Sequence, residues 1–208
     1  MNIETNSYFD LEFKLITLGE AGVGKTSIIN RFVNNSFFGD TKPTMGIQHF
    51  FKIIKMPNGK ALKFSIIDTS GQEKYRSLPT SYFRNVSVVL FIFDLNCKLS
   101  FENMEKWIHT FNENNNGKYI KKQYLIGNKN DLEQKVGQNL IDEFSEKNNL
   151  PYWGISAKTS NQVNDLFQSI ANDLYEDDKR NNISSKSRGS RIVSRPQTND
   201  KKKKGCCN

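Results

Sequence analysis

The chain has 208 residues, with 30 Lys and Arg against 22 Asp and Glu and a formal net charge of +8. That length suits one domain with a filled core plus a tail. The charge is uneven: 20 basic residues face 21 acidic ones up to Asp178, while the last 30 residues hold 10 basic and 1 acidic, which argues against a domain that grips nucleic acid over its surface.

Residues 1–10 contain Glu4 and Asp10 and no apolar run, so they read as a short extension rather than a signal peptide. Leu11 to Leu18 alternates and then runs apolar, predicting a strand, and Gly19 to Thr26 is a glycine-rich turn. Ile28, Ile29, Phe32 and Val33 give helical spacing over 27–33. Asn34 to Thr44, with Gly39 and Pro43, is loop. Ile47 to Met56 and Ala61 to Ile67 are predicted strands joined at Pro57-Asn58-Gly59, a hairpin signal. Val86 to Leu95 is continuously apolar, as in a strand covered on both faces, and far short of the ~20 residues that span a membrane. Phe101, Met104, Ile108 and Phe111 share one face of a predicted helix over 100–111. Tyr124 to Gly127 is a buried strand, Leu140 to Phe144 a helix, and Tyr152 to Ile155 a last strand. Leu166, Phe167, Ile170 and Leu174 mark the last helix, over 163–174. This order predicts an α/β fold: a six-stranded, mostly parallel sheet with one antiparallel edge strand and helices on both faces. The expected organisation is an extension over 1–10, a domain over 11–178 and a disordered tail over 179–208, where Ser, Asn, Arg and Lys replace apolar residues.

In such a sheet the loops at the C-terminal strand ends form the ligand crevice, and the informative residues fall there. Gly19-Glu20-Ala21-Gly22-Val23-Gly24-Lys25-Thr26 fits G-x-x-x-x-G-K-[ST] between a strand and a helix. Its glycines let backbone N–H groups and the helix N-terminus wrap a phosphate. Lys25 would reach the β- and γ-phosphates, and the Thr26 hydroxyl would ligate Mg²⁺. Asp68, just after the predicted strand that ends at Ile67, can hold a Mg²⁺-bound water. Gly71 can offer an N–H to a γ-phosphate, and Gln72 can orient an attacking water. Asn128-Lys129-Asn130-Asp131 follows a further strand. A carboxylate at Asp131 accepts from both guanine N1–H and the exocyclic N2 amino group, which adenine cannot satisfy. Ser156-Ala157-Lys158 can offer a backbone N–H to guanine O6.

These four motifs, in this order, resemble the Ras-like small GTPase superfamily, and most closely its Rab branch, over about 13–175. Further Rab-like stretches are Lys74-Tyr75-Arg76-Ser77-Leu78, Ser81-Tyr82-Phe83-Arg84 and Ser100-Phe101-Glu102-Asn103. The resemblance implies a P-loop small G domain that binds GTP and GDP with Mg²⁺ and slowly hydrolyses GTP. It makes Thr44 the switch I threonine that ligates Mg²⁺ and senses the γ-phosphate, and Phe37 the aromatic lying against the guanine. The implied partners are an exchange factor, a GTPase-activating protein, a GDP-dissociation inhibitor or escort protein, and effectors. With no arginine placed to act in cis, intrinsic turnover is expected on the order of 10⁻⁴ s⁻¹. The output is the ordering of 35–46 and 70–84 by the γ-phosphate. Three other readings compete, one of them nucleic-acid binding through the basic tail, which predicts that removing Lys201–Asn208 abolishes nucleic-acid binding and leaves membrane association untouched. A P-loop ATPase or nucleotide kinase predicts ATP binding, against Asp131. A GTP-binding module without hydrolysis runs against the presence of Gln72, Thr44 and Lys25.

Several residues depart from the Rab pattern: Ala21, Ser70 for the usual Ala, Ile67 for the usual Trp, and the stretch Met45 to Phe50. The tail ends Lys201-Lys202-Lys203-Lys204-Gly205-Cys206-Cys207-Asn208. A CaaX box would need Cys at 205, so the Cys206-Cys207 pair resembles the Rab double geranylgeranylation signal, which meets the two-signal requirement for stable anchoring. The expected location is the cytoplasmic face of an intracellular or plasma membrane, cycling with cytosol. Cys97 reads as a semi-buried structural thiol, Trp107 and Trp153 as packing residues, and His49 and His109 as making no metal site.

Overall fold

The computed structural model describes residues 8–39, 43–44, 46–71, 80–115 and 117–188. The elements are β1 (Leu11–Leu18), α1 (Lys25–Asn34), β2 (Ile47–Lys55), β3 (Ala61–Thr69), α2 (Thr80–Phe83), β4 (Val88–Asp94), α3 (Lys98–Glu102), α4 (Met104–Asn114), β5 (Lys122–Asn128), α5 (Gln138–Asn148), β6 (Tyr152–Gly154) and α6 (Val163–Arg188). The strands form one sheet in the order β2-β3-β1-β4-β5-β6. β2 pairs antiparallel with β3, from Ile47 opposite Thr69 to Lys55 opposite Ala61. The other neighbouring pairs are parallel. The predicted architecture is therefore the observed one, with β2 as the antiparallel edge.

Period-two alternation sorts the strand side chains onto two layers. On one face, Ile16 and Leu18 of β1 and Val89, Phe91 and Phe93 of β4 pack with Phe101, Met104, Trp107, Phe111 and Ile141 from α3, α4 and α5. On the other, three aromatic rings lock α1, β3 and the start of α6 together. Phe32 and Phe167 stack at 3.7 Å between ring centroids, and Phe64 meets each of them edge-on at 6.3 Å. β4 is buried at every position, which explains its unbroken apolar run. Phe167 is wholly buried. Phe167→Ala is expected to cost about 3–5 kcal/mol in a denaturant titration, because a void replaces a ring that two others touch. A loss under about 1 kcal/mol would contradict this packing role.

The structure departs from the sequence reading in four places. The helix predicted over 100–111 is two helices, broken at Asn103. There the chain turns: Asn103 takes φ −81° and ψ −3° and makes no side-chain cap bond, the Lys106 N–H donates to Asn103 O at 3.1 Å in a tighter three-residue step, and Lys106 Nζ donates to Asn103 Oδ1 at 2.8 Å. The short α2 carries too few residues for a periodic signal. Cys97 is exposed rather than semi-buried, standing just ahead of α3. Finally, α6 continues to Arg188, although residues 179–188 were expected to be disordered. Once the apolar stripe over 163–174 has nucleated a helix, propagation is cheap, and neither Gly nor Pro intervenes before Gly189. The chain divides by its internal contacts into Met1–Leu174 and Tyr175–Asn208. Within the second unit, Arg180 pairs with Asp177 at 3.8 Å. The tail from 189 onward lies outside the described residues.

Candidate functional site

The loops after β1, β3, β5 and β6 converge at one end of the sheet, beyond the carboxyl ends of these strands. A cavity of about 580 Å³ opens there, within the range that holds a nucleotide-sized ligand. Its walls come from the loop after β1, from Phe37, Phe38 and Gly39, from Pro43 and Thr44, from Ser70 and Gly71, from the loop after β5, and from Ala157 and Lys158.

The loop after β1 supplies one end. Lys25 is 5% exposed, and its Nζ donates to Gly19 O and Glu20 O at 2.9 Å each. Burial brings its ammonium down to about 8, opposed by the charges of Asp68 and Glu20. Gly24 sits at φ +96°, and a Cβ there would meet Asn128 Nδ2 at 2.3 Å. Both facts demand glycine where the chain turns into α1. The first N–H groups of α1 are thereby left without helical partners at the cavity edge.

Beside Lys25, three oxygens gather. Thr26 Oγ1 lies 2.7 Å from Thr44 Oγ1 and donates to Asp68 Oδ2 at 2.5 Å. Asp68 is fully buried, and its other oxygen accepts from Thr17 Oγ1 at 3.2 Å. Burial raises its pKa, while the Thr26 hydrogen bond, Lys25 and Thr17 oppose that. Two hydroxyls and one carboxylate form a hard-oxygen set suited to Mg²⁺, which takes few protein ligands and keeps waters and substrate phosphates. Gly71 lies against the phosphate-loop backbone: a Cβ there would come within 2.2–2.3 Å of Glu20 C, Glu20 O and Ala21 N.

At the other end, Asp131 Oδ1 accepts from Ser156 Oγ at 2.6 Å, and Ser156 Oγ accepts in turn from the Thr159 N–H at 3.1 Å. Ser156 is 1% exposed, so it orients the carboxylate from behind. Asn128 is likewise a brace: its Nδ2 donates to Val23 O at 2.8 Å, and its Oδ1 accepts from the Ala157 N–H at 3.2 Å. It thus ties the loop after β1 to the loop after β6. Lys129, in the left-handed region at φ +64°, sends its ammonium to Asp94 Oδ2 at 2.7 Å while lining the cavity. Of the sequence-selected residues, Ala21, Gly22, Gly24, Lys25, Thr26, Phe37, Thr44, Gly71, Asn128, Lys129, Asp131, Ala157 and Lys158 reach the wall. Gly19, Glu20, Val23, Asp68 and Ser156 stand behind it. Gln72, Cys206 and Cys207 lie outside the described residues.

Sequence reasoning missed two supports. Trp107, read as packing, also donates its Nε1–H to Glu20 Oε1 at 3.1 Å, fastening α4 to the phosphate loop. Arg31 reaches from α1 to the carbonyls of Ala157 and Lys158.

The glycine-rich loop between β1 and α1, the cavity at the carboxyl ends of the strands and this strand order together are those of a P-loop small G domain. The family model of the Ras family matches residues 14–176. The Ras-related protein Rab-30 of Homo sapiens is 34% identical over 177 residues, covering 84% of this chain and 86% of the relative, and its counterparts from Bos taurus and Mus musculus match equally. The chain belongs to the Ras family of small GTPases, in its Rab branch, and it is a GTP-binding, GTP-hydrolysing molecular switch.

Proposed function

We propose that the cavity holds GTP or GDP with its phosphates in the Gly19–Thr26 loop and its base between Asp131 and Phe37. The observation that carries this reading is the approach of the Thr44 hydroxyl to Thr26 Oγ1, which links the loop ahead of β2 to the phosphate end of the cavity. Thr26 and Thr44 would ligate Mg²⁺ directly and Asp68 through water, and the ion would neutralise charge on the β- and γ-phosphate oxygens. Lys25 turns its ammonium from its own loop carbonyls to those oxygens. The Gly71 N–H faces the γ-phosphate, and Gln72 orients the water for in-line attack. A backbone N–H of the 157–158 turn faces guanine O6, and the Lys129 stem flanks the ring. Loss of the γ-phosphate frees Thr44 and Gly71 together, which releases both switch segments.

Beyond the nucleotide, the reading includes geranylgeranylation at Cys206 and Cys207, with Lys201–Lys204 adding about 1 kcal/mol each against anionic lipid. The protein would then act on the cytoplasmic face of a membrane in vesicle traffic, through exchange factors, activating proteins, an escort protein and effectors. Among the described residues no helix is long and apolar enough to cross a membrane, which is compatible with a lipid anchor.

The test is nucleotide release and competition on the full chain. GDP is expected to outcompete ADP by at least about 10³-fold, as polar-group mismatch dictates, and EDTA is expected to speed GDP release. Equal affinity for ADP would overturn the base reading, and release indifferent to EDTA would overturn the metal reading.

A further inference from the structure

The geometry points to Arg31 as a positioning residue that sets base recognition from outside the cavity. This inference rests on the reading that the cavity takes a guanine. Arg31 is half-buried on α1 and spreads its guanidinium over three backbone carbonyls. Nε donates to Ala157 O at 2.9 Å, Nη2 to Lys158 O at 3.1 Å, and Nη1 to Asn35 O at 3.0 Å. Two of these are consecutive peptides of the turn after β6, and the third lies two residues before Phe37.

A peptide unit is planar and trans, so its C=O and N–H point in opposite directions. Holding Ala157 O toward Arg31 therefore turns the Lys158 N–H the other way, and Lys158 lines the cavity. The Ala157 N–H is already engaged by Asn128 Oδ1 at 3.2 Å, which leaves the Lys158 N–H as the next donor in the turn. Holding Lys158 O likewise fixes the peptide whose N–H, on Thr159, donates to Ser156 Oγ. One planar fork, rooted in the helix that follows the phosphate loop, thus sets the plane from which guanine O6 is read. A Lys at this position would be a single point charge and could not span two carbonyls in the same way.

The test pairs a side-chain change with a base change. The full chain is measured in competition against a fluorescent GDP, using GDP and the diphosphate of 2-aminopurine riboside, which lacks O6 and with it the N1–H, the latter a loss common to the unaltered chain and the variants. Arg31→Ala is expected to lower affinity for GDP about tenfold, the scale of a lost charge-assisted hydrogen bond. For the O6-free nucleotide the loss is expected to stay within about threefold, because the group read through Arg31 is absent. Arg31→Lys is expected to fall between wild type and Arg31→Ala on GDP, and it serves as the comparison if Arg31→Ala fails to melt cooperatively. Equal losses on both nucleotides would make Arg31 a general brace and overturn the inference, and so would no loss on either. Should the unaltered chain fail to prefer GDP over ADP, the guanine reading itself falls, a failure seen without any Arg31 variant.

Discussion

Asp131→Asn is expected to lower GDP affinity by about 10²-fold or more and to admit xanthosine diphosphate in its place. The carboxylate offers acceptors to both N1–H and the C2 amino group of guanine. In the structure one of its oxygens also accepts from Ser156 Oγ at 2.6 Å. That contact fixes which way an Asn would sit, with its carbonyl toward the serine hydroxyl and its amide toward the base. An amide N–H₂ then faces the amino group at C2 of guanine, donor against donor, and one buried polar group goes unpaired. Xanthine carries a carbonyl at C2 and accepts that amide. Competition of the two diphosphates against a fluorescent nucleotide measures the inversion. Retention of full GDP affinity would show that Asp131 does not read the base.

Gly71→Ala is expected to slow single-turnover GTP hydrolysis about 10²-fold, the scale of losing one oriented N–H donor to developing charge, while GDP affinity stays within about threefold. The reason is steric. An added methyl at Gly71 would overlap the Glu20–Ala21 backbone at 2.2–2.3 Å, and neither backbone segment can give way as a flexible side chain would. The segment that leads into Gln72 must then stand away from the phosphate loop, which removes the Gly71 N–H from the γ-phosphate. GDP has no γ-phosphate and loses little. Equal damage to GDP binding would mean that the overlap distorts the loop itself.

The fold was legible because its burial pattern is written in single residues. Leu11–Leu18 has the bounds read from its alternation, and the continuous apolar run at β4 reports a strand with helices on both sides. The hairpin between β2 and β3 turns at the Asn58-Gly59 signal, where Gly59 takes φ +82° and its N–H bonds back to Met56 O at 3.0 Å. What pattern alone missed were decisions made by single contacts. The chain turns at Asn103 between α3 and α4, and α6 propagates past its apolar stripe to Arg188.

At the site, motif chemistry found the residues but not all of their tasks. Asn128 and Ser156, both in the motifs selected for guanine, also hold other groups in place: Asn128 binds Val23 and Ala157, and Ser156 binds Asp131. Arg31 could not be found from sequence at all. Its partners are backbone carbonyls 126 and 127 residues away, and a carbonyl has no sequence signature. The positive charge that marks the chain as a whole sits instead in the last 30 residues, apart from the nucleotide chemistry.

The most direct measurement is single-turnover hydrolysis by the full chain loaded with GTP and Mg²⁺. Phosphate release on the order of 10⁻⁴ s⁻¹ is expected, abolished by Gln72→Leu and absent with ATP. No release above the protein-free rate, even with a matched activating protein, or equal turnover of ATP, would contradict the account of a guanine-selective switch run by these residues.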